Sequence, residues 1–89
     1  MKIFKTRNTV TIRFDETFDF RDAINLPKVI RQFEAVGAVT LDFRDVRWVR
    51  ESVLATLIPA LASMRRPPIR VIGLEDAAPE LAGLVAAIA

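Results

Sequence analysis

The sequence predicts a single α/β domain with a mixed sheet of four or five strands, and three observations carry that reading. "TVTIRF", residues 9–14, alternates with period two, Val10, Ile12 and Phe14 against Thr9, Thr11 and Arg13, as a half-buried strand does. "SVLATLIPALASM", residues 52–64, places large apolar side chains at helical spacing. Strand-like and helix-like segments then alternate in the order β-β-α-β-α-β-α, with crossovers long enough for parallel connections. Right-handed crossovers of this kind place successive helices on the same side of the sheet unless the strand order reverses.

In chain order, "KIF" forms a short first strand and "KTRN" the turn that lets it pair with residues 9–14 as a hairpin. Residues 15–25 are acidic and aromatic, with Asp19 and Asp22 as candidate helix caps. Leu26, Val29, Ile30, Phe33 and Val36 then form one helix stripe, with Lys28, Arg31, Gln32 and Glu34 between them. Pro27 belongs in a first turn, so this helix is expected to start near Asn25, and Gly37 to end it. "AVTLDF", residues 38–43, is the next strand, and "VRWV", residues 46–49, a short extended lead into the second helix. Ser52 is placed as that helix's N-cap, a role whose loss costs about 1 kcal/mol. "RRPP" stops the helix, because two prolines cannot continue it. "IRVIGL", residues 69–74, is the last strand, and a closing helix follows Asp76, with Pro79 in its first turn and Leu81, Leu84, Val85 and Ile88 as its apolar stripe.

Eighty-nine residues is one domain's length, without an internal repeat or linker. The hydrophobic fraction of 52% exceeds that of an ordinary domain, so apolar surface is available for a core or for a contact. No apolar run reaches the roughly 18 residues of a membrane span, and the first residues hold no signal-peptide core, so a cytoplasmic protein without membrane insertion is expected. The chain has no Cys and no His, which removes thiol and Ser-His catalysis, disulfides and zinc sites of the Cys or His kind. No cofactor is expected: Gly37, Gly73 and Gly83 are isolated, so there is no glycine-rich phosphate loop. Asp15, Glu16, Asp19, Asp22, Asp42 and Asp45 are the acid-base candidates. Asp42 and Asp45 sit at a strand end, where ligand sites occur in α/β folds but where turn and cap carboxylates are commoner. A net charge of +2 does not point to nucleic acid. Arg44, Arg47 and Arg50 beside Trp48 could stack on bases, but the preferred reading puts Trp48 in the core and the arginines in solvent. A non-enzyme is expected.

The second helix has no charged residue from 52 to 64. On a wheel, Val53, Leu54, Leu57, Ile58, Leu61 and Met64 fill one side and Ser52, Ala55, Thr56, Pro59, Ala60 and Ser63 the other. A solvated face normally carries Lys, Glu or Arg. Small side chains instead let another surface approach the backbone, and Arg47, Arg50, Arg65 and Arg66 supply a polar rim. This face reads as a protein contact patch, or else as a central helix covered by its own chain. Pro59 should kink or split the helix, either to fit a partner or as a local irregularity.

"VTLDFRDVRWVRESVLATLIPAL", with "IRVIGL" and the closing helix after it, resembles the STAS domain of anti-sigma factor antagonists and sulfate-transporter tails. In that family a strand ending Leu-Asp-Leu precedes a short apolar segment and then Asp-Ser-Ser-Gly-Leu, which opens the second main helix. Leu41, Asp42 and Phe43 match the strand end, Val46, Trp48 and Val49 the apolar segment, and Leu54 and Leu57 the helix. "TVTIRFDETFDF" is similar to the family's opening strand and the Gly-Glu-Leu-Asp stretch after it, with Phe18 and Asp19 at the Leu-Asp positions. The resemblance covers essentially the whole chain and implies a regulatory, partner-switching protein. Its partner would be an anti-sigma factor of serine-kinase type, bound through Arg50, Glu51, Ser52, Ala55, Thr56, Pro59, Ala60 and Ser63. Ser52 falls at the family's phosphoacceptor serine, whereas Arg50, Glu51 and Val53 replace its Asp, first Ser and Gly. A phosphate there would suit a helix N-terminus yet block docking by charge, and a plain helix-cap serine is the alternative. A second branch of the family, the small cytoplasmic subunits of phospholipid-trafficking ABC transporters, binds an ATPase through the same face and also lacks the full signature. An apolar face of this kind could close a homodimer as well.

Overall fold

The computed structural model describes residues 1–64 and 67–74. Within them the order is β1 (Lys2–Lys5), β2 (Thr9–Arg13), α1 (Phe20–Arg31), β3 (Ala38–Asp42), α2 (Glu51–Ala62) and β4 (Ile69–Ile72). The expected closing helix, with Gly83, Arg65 and Arg66, lies outside the described residues.

The four strands form one mixed sheet in the order β1-β2-β3-β4. β1 and β2 pair antiparallel as the expected hairpin, while β2–β3 and β3–β4 are parallel. Register puts Val10 beside Val39 and Ile12 beside Leu41, and all four are buried. Their neighbours Thr9, Thr11, Ala38 and Thr40 belong to the opposite face and are partly or fully exposed, so the period-two pattern becomes a sheet with one dry face. α1 and α2 contact each other over that dry face, with Ala23, Leu26, Ile30, Val53, Leu54, Leu57 and Leu61 in the core.

α1 begins earlier than its apolar stripe indicates. Asp19 is the N-cap: its carboxylate accepts the Asp22 N–H at 3.1 Å, and the Asp22 carboxylate accepts the Asp19 N–H at 3.1 Å. This reciprocal capping box satisfies two free donors of the first turn and starts the helix at Phe20. Pro27 therefore lies inside the helix rather than in its first turn. The helix ends at Arg31 with Gln32 as its C-cap, and Gly37 instead gives its N–H to Asn8, both to the backbone carbonyl at 2.9 Å and to the side-chain oxygen at 3.0 Å.

α2 runs unsplit through Pro59. Its N-cap is Arg50, which offers no side-chain cap, and the Arg50 carbonyl accepts from the N–H groups of Val53 and Leu54. Ser52 is thus the second residue of the helix and not its cap. Ser52→Ala should change stability by less than about 0.5 kcal/mol, as a surface change does, instead of the roughly 1 kcal/mol of a lost cap. Urea unfolding of the two proteins side by side measures the difference.

Beyond β4 the chain turns at Gly73, whose φ of +80° suits glycine. A Cβ there would sit 2.5 Å from the Arg44 backbone nitrogen, so this turn also needs the close approach that glycine permits.

Candidate functional site

Two loops meet at the C-terminal ends of β2 and β3. Phe14 and Phe18, on the loop into α1, pack on Phe43, which follows β3: the ring centroids are 4.8 Å apart for Phe14–Phe18, 4.7 Å for Phe14–Phe43 and 5.1 Å for Phe18–Phe43. The backbones are tied as well. Thr17 and Trp48 form an isolated parallel bridge, and the Arg47 N–H donates to the Glu16 carbonyl at 3.1 Å. These ties fix the first turn of α1 beside the first turn of α2.

The carboxylates at this end differ in kind. Asp42 is buried at 1% exposure, while the Arg44 side chain wraps it: Nε lies 3.0 and 3.2 Å from the two carboxylate oxygens and Nη2 2.8 Å from one, and the Arg44 N–H adds a bond of 3.0 Å. Arg13 approaches from β2, its Nε 3.7 Å from Asp42 and 3.1 Å from Asp45. The Arg44 side-chain hydrogen bonds outweigh desolvation and hold the Asp42 carboxyl below its ordinary range, and the same contact raises Arg44. A carboxylate so enclosed is a fastener between the loop and the sheet. Asp19 is likewise lowered, first by the Asp22 N–H of the capping box. No group of three or more His, Cys, Asp or Glu among the described residues could hold a metal ion.

Asp42→Asn should cost about 2 kcal/mol at pH 7, the scale of charged hydrogen bonds whose arginine side remains in solvent. The folded-state pKa is lowered, so Asp42 stabilises the fold above the ordinary carboxylate value of about 4 and loses that contribution as pH falls below it. The gap between wild type and variant should therefore be constant near neutrality and close below about pH 4, as read by urea unfolding across a pH series.

The sequence-expected face of α2 is exposed as anticipated. Val53, Leu54, Leu57 and Leu61 are buried, Ile58 and Met64 partly so, while Ser52, Ala55, Thr56, Pro59 and Ser63 are exposed and Ala60 is half-buried. Among the described residues, none covers this face. The Thr56 hydroxyl donates to the Ser52 carbonyl at 3.1 Å and the Ser63 hydroxyl to the Ala60 carbonyl at 2.8 Å. Both hydroxyls thus fold back onto the helix and leave a low, chargeless surface. Arg50 and Glu51 stand exposed at its N-terminal end.

Trp48 departs from expectation: it is 62% exposed and not in the core. The segment 46–49 buries Val46 and Val49, three residues apart, and turns Arg47 and Trp48 outward. The Arg50 guanidinium stacks over the indole at 5.5 Å. Trp48 lines a groove of about 720 Å³ between the N-terminal turns of the two helices, together with Phe20, Arg21, Ile24, Arg50 and Val53. This groove is contiguous through Arg50 and Val53 with the α2 face; Arg50 is among the contact residues expected from the sequence, whereas Phe20, Arg21 and Ile24 are not.

Comparison with protein-family models and with curated proteins finds no match to this chain. No helix of the described residues is long and apolar enough to cross a membrane.

Proposed function

We propose that this protein is a non-catalytic, cytoplasmic binding module of STAS type that docks a protein partner through α2, as an anti-sigma factor antagonist does. The observation that carries the reading is the exposed, chargeless side of α2 at Ser52, Ala55, Thr56, Pro59, Ala60 and Ser63, beside the arginine-flanked N-terminal end of the helix. Burial of such a face against a partner desolvates little polar surface and brings two backbones close. The parallel β2-α1-β3-α2-β4 order and the turn at the end of β3 agree with the STAS resemblance in the sequence. Ser52, in the first helical turn and exposed, is reachable by a kinase. A phosphate there would sit at the positive end of the helix dipole and place roughly two negative charges at the edge of the docking face.

The second reading is a small STAS subunit that binds the ATPase of a phospholipid-trafficking ABC transporter. Arg50, Glu51 and Val53 favour it, because they replace the residues that surround a phosphoacceptor serine in partner-switching proteins. Affinity capture from extract of the source organism, with wild type and Thr56→Glu in parallel, separates the two. A serine-kinase-like anti-sigma factor lost with Thr56→Glu supports partner switching, and an ABC ATPase lost with it supports the transporter subunit. Identical capture by both proteins contradicts docking through α2.

A further inference from the structure

The groove between the N-terminal turns of α1 and α2 exposes three large apolar side chains to water: Phe20 at 47%, Ile24 at 55% and Trp48 at 62%. Phe20 and Ile24 lie one turn apart on α1 and so share a face, and Trp48 stands opposite them on the loop before α2. Exposed apolar groups gathered in one groove mark a contact surface, whereas scattered ones do not. Two cations flank them. The ion pairs among the described residues join Arg13 and Arg44 to Asp42, Arg13 to Asp45, Arg47 to Glu16, and the N-terminus to Asp15, and none includes Arg21 or Arg50. The one carboxylate of the groove, Asp19, is engaged by the Asp22 N–H in the capping box. The groove therefore presents an apolar centre between two guanidinium groups that form no salt bridge among the described residues, with the Asp19 carboxylate at its edge and near enough to Arg21 for the two charges to attract.

Resting on the protein-binding reading above, we infer that this groove takes a partner segment in which a bulky apolar side chain is flanked by carboxylates. The apolar side chain enters between Trp48 and the Phe20–Ile24 face, and the carboxylates meet Arg21 and Arg50. Guanidinium and carboxylate match as two-point donors and acceptors, which fixes the orientation of the segment. A nucleic-acid strand suits the groove less well, because its repeating phosphates call for a continuous track of cations. Here two cations border an apolar floor, in a chain of net charge +2.

Trp48 is the chain's only tryptophan, so its emission reports occupation of the groove. The test is selection of a random, tryptophan-free 12-residue peptide library on the full-length protein, with Trp48→Ala as counter-selection. The recovered peptides are then titrated by Trp48 fluorescence. The expected peptides pair Leu, Ile, Met or Phe with Asp or Glu and shift the emission to shorter wavelength. Replacing their acids by Lys should weaken binding at least tenfold, and the Arg21→Glu/Arg50→Glu variant should reverse the preference. Basic or uncharged winners would overturn the inference, as would no peptide that depends on Trp48, or a thymidine 12-mer that binds more tightly than any peptide. In a parallel selection without the counter-selection, winners that are lost with Thr56→Glu but retained by Trp48→Ala would also overturn it, while leaving docking through α2 intact.

Discussion

Phe43→Ala should be the most damaging single truncation near the site, lowering stability by about 3–5 kcal/mol. Phe43 is 1% exposed and touches both Phe14 and Phe18, so its removal leaves two aromatic rings facing a void. The surrounding backbone has little room to collapse: the Phe43 N–H donates to the Ile72 carbonyl at 2.9 Å and its own carbonyl accepts from Val46 at 3.0 Å. A domain of this size has only about 5–10 kcal/mol of stability in total. The melting temperature should therefore fall by about 15 °C or more, with much of the chain unfolded at 37 °C. Phe4→Ala, at a half-exposed ring on β1, is the control and should stay within about 0.5 kcal/mol of wild type. Thermal and urea unfolding followed by circular dichroism measure both. A loss below about 1 kcal/mol for Phe43→Ala would show that the aromatic trio does not hold the two loops together.

Most of the architecture was legible because burial in this chain follows simple periods. Val10, Ile12, Val39 and Leu41 obey period two, and the α2 wheel separates its buried from its exposed residues except at Ile58, Ala60 and Met64, which are intermediate. The departures share a cause, which is that loop geometry competes with local pattern. Pro27 pointed to a late start for α1, but the capping box between Asp19 and Asp22 starts it at Phe20. That signal was present in the sequence, since Asp and Asp stand three apart as caps require. Ser52 is a favoured cap residue, yet the backbone turns into the helix at Arg50 instead. Trp48 looked like core by composition, but the bridge to Thr17 and the burial of Val46 and Val49 leave it outside. The groove depends on that pairing of distant loops, which no local spacing encodes.

Thr56→Glu should carry the largest effect on function. Thr56 is exposed in the middle of the chargeless face, with its hydroxyl bonded to its own helix. Glutamate is a better helix former than threonine and stays in solvent in the free protein, so the fold should tolerate it. In a complex the new carboxylate would be buried without a partner, at a cost of about 3 kcal/mol or more. That corresponds to roughly a hundredfold loss of affinity. Trp48→Ala acts on the neighbouring groove and should leave contacts made only by the α2 face unchanged.

The most direct test of docking through α2 is the dissociation constant of the captured partner for wild type and for Thr56→Glu, measured by calorimetry on proteins with matched melting curves. A loss of at least about a hundredfold with the melting temperature unchanged is the result expected. An affinity within about threefold of wild type would contradict the account and place the partner on another surface.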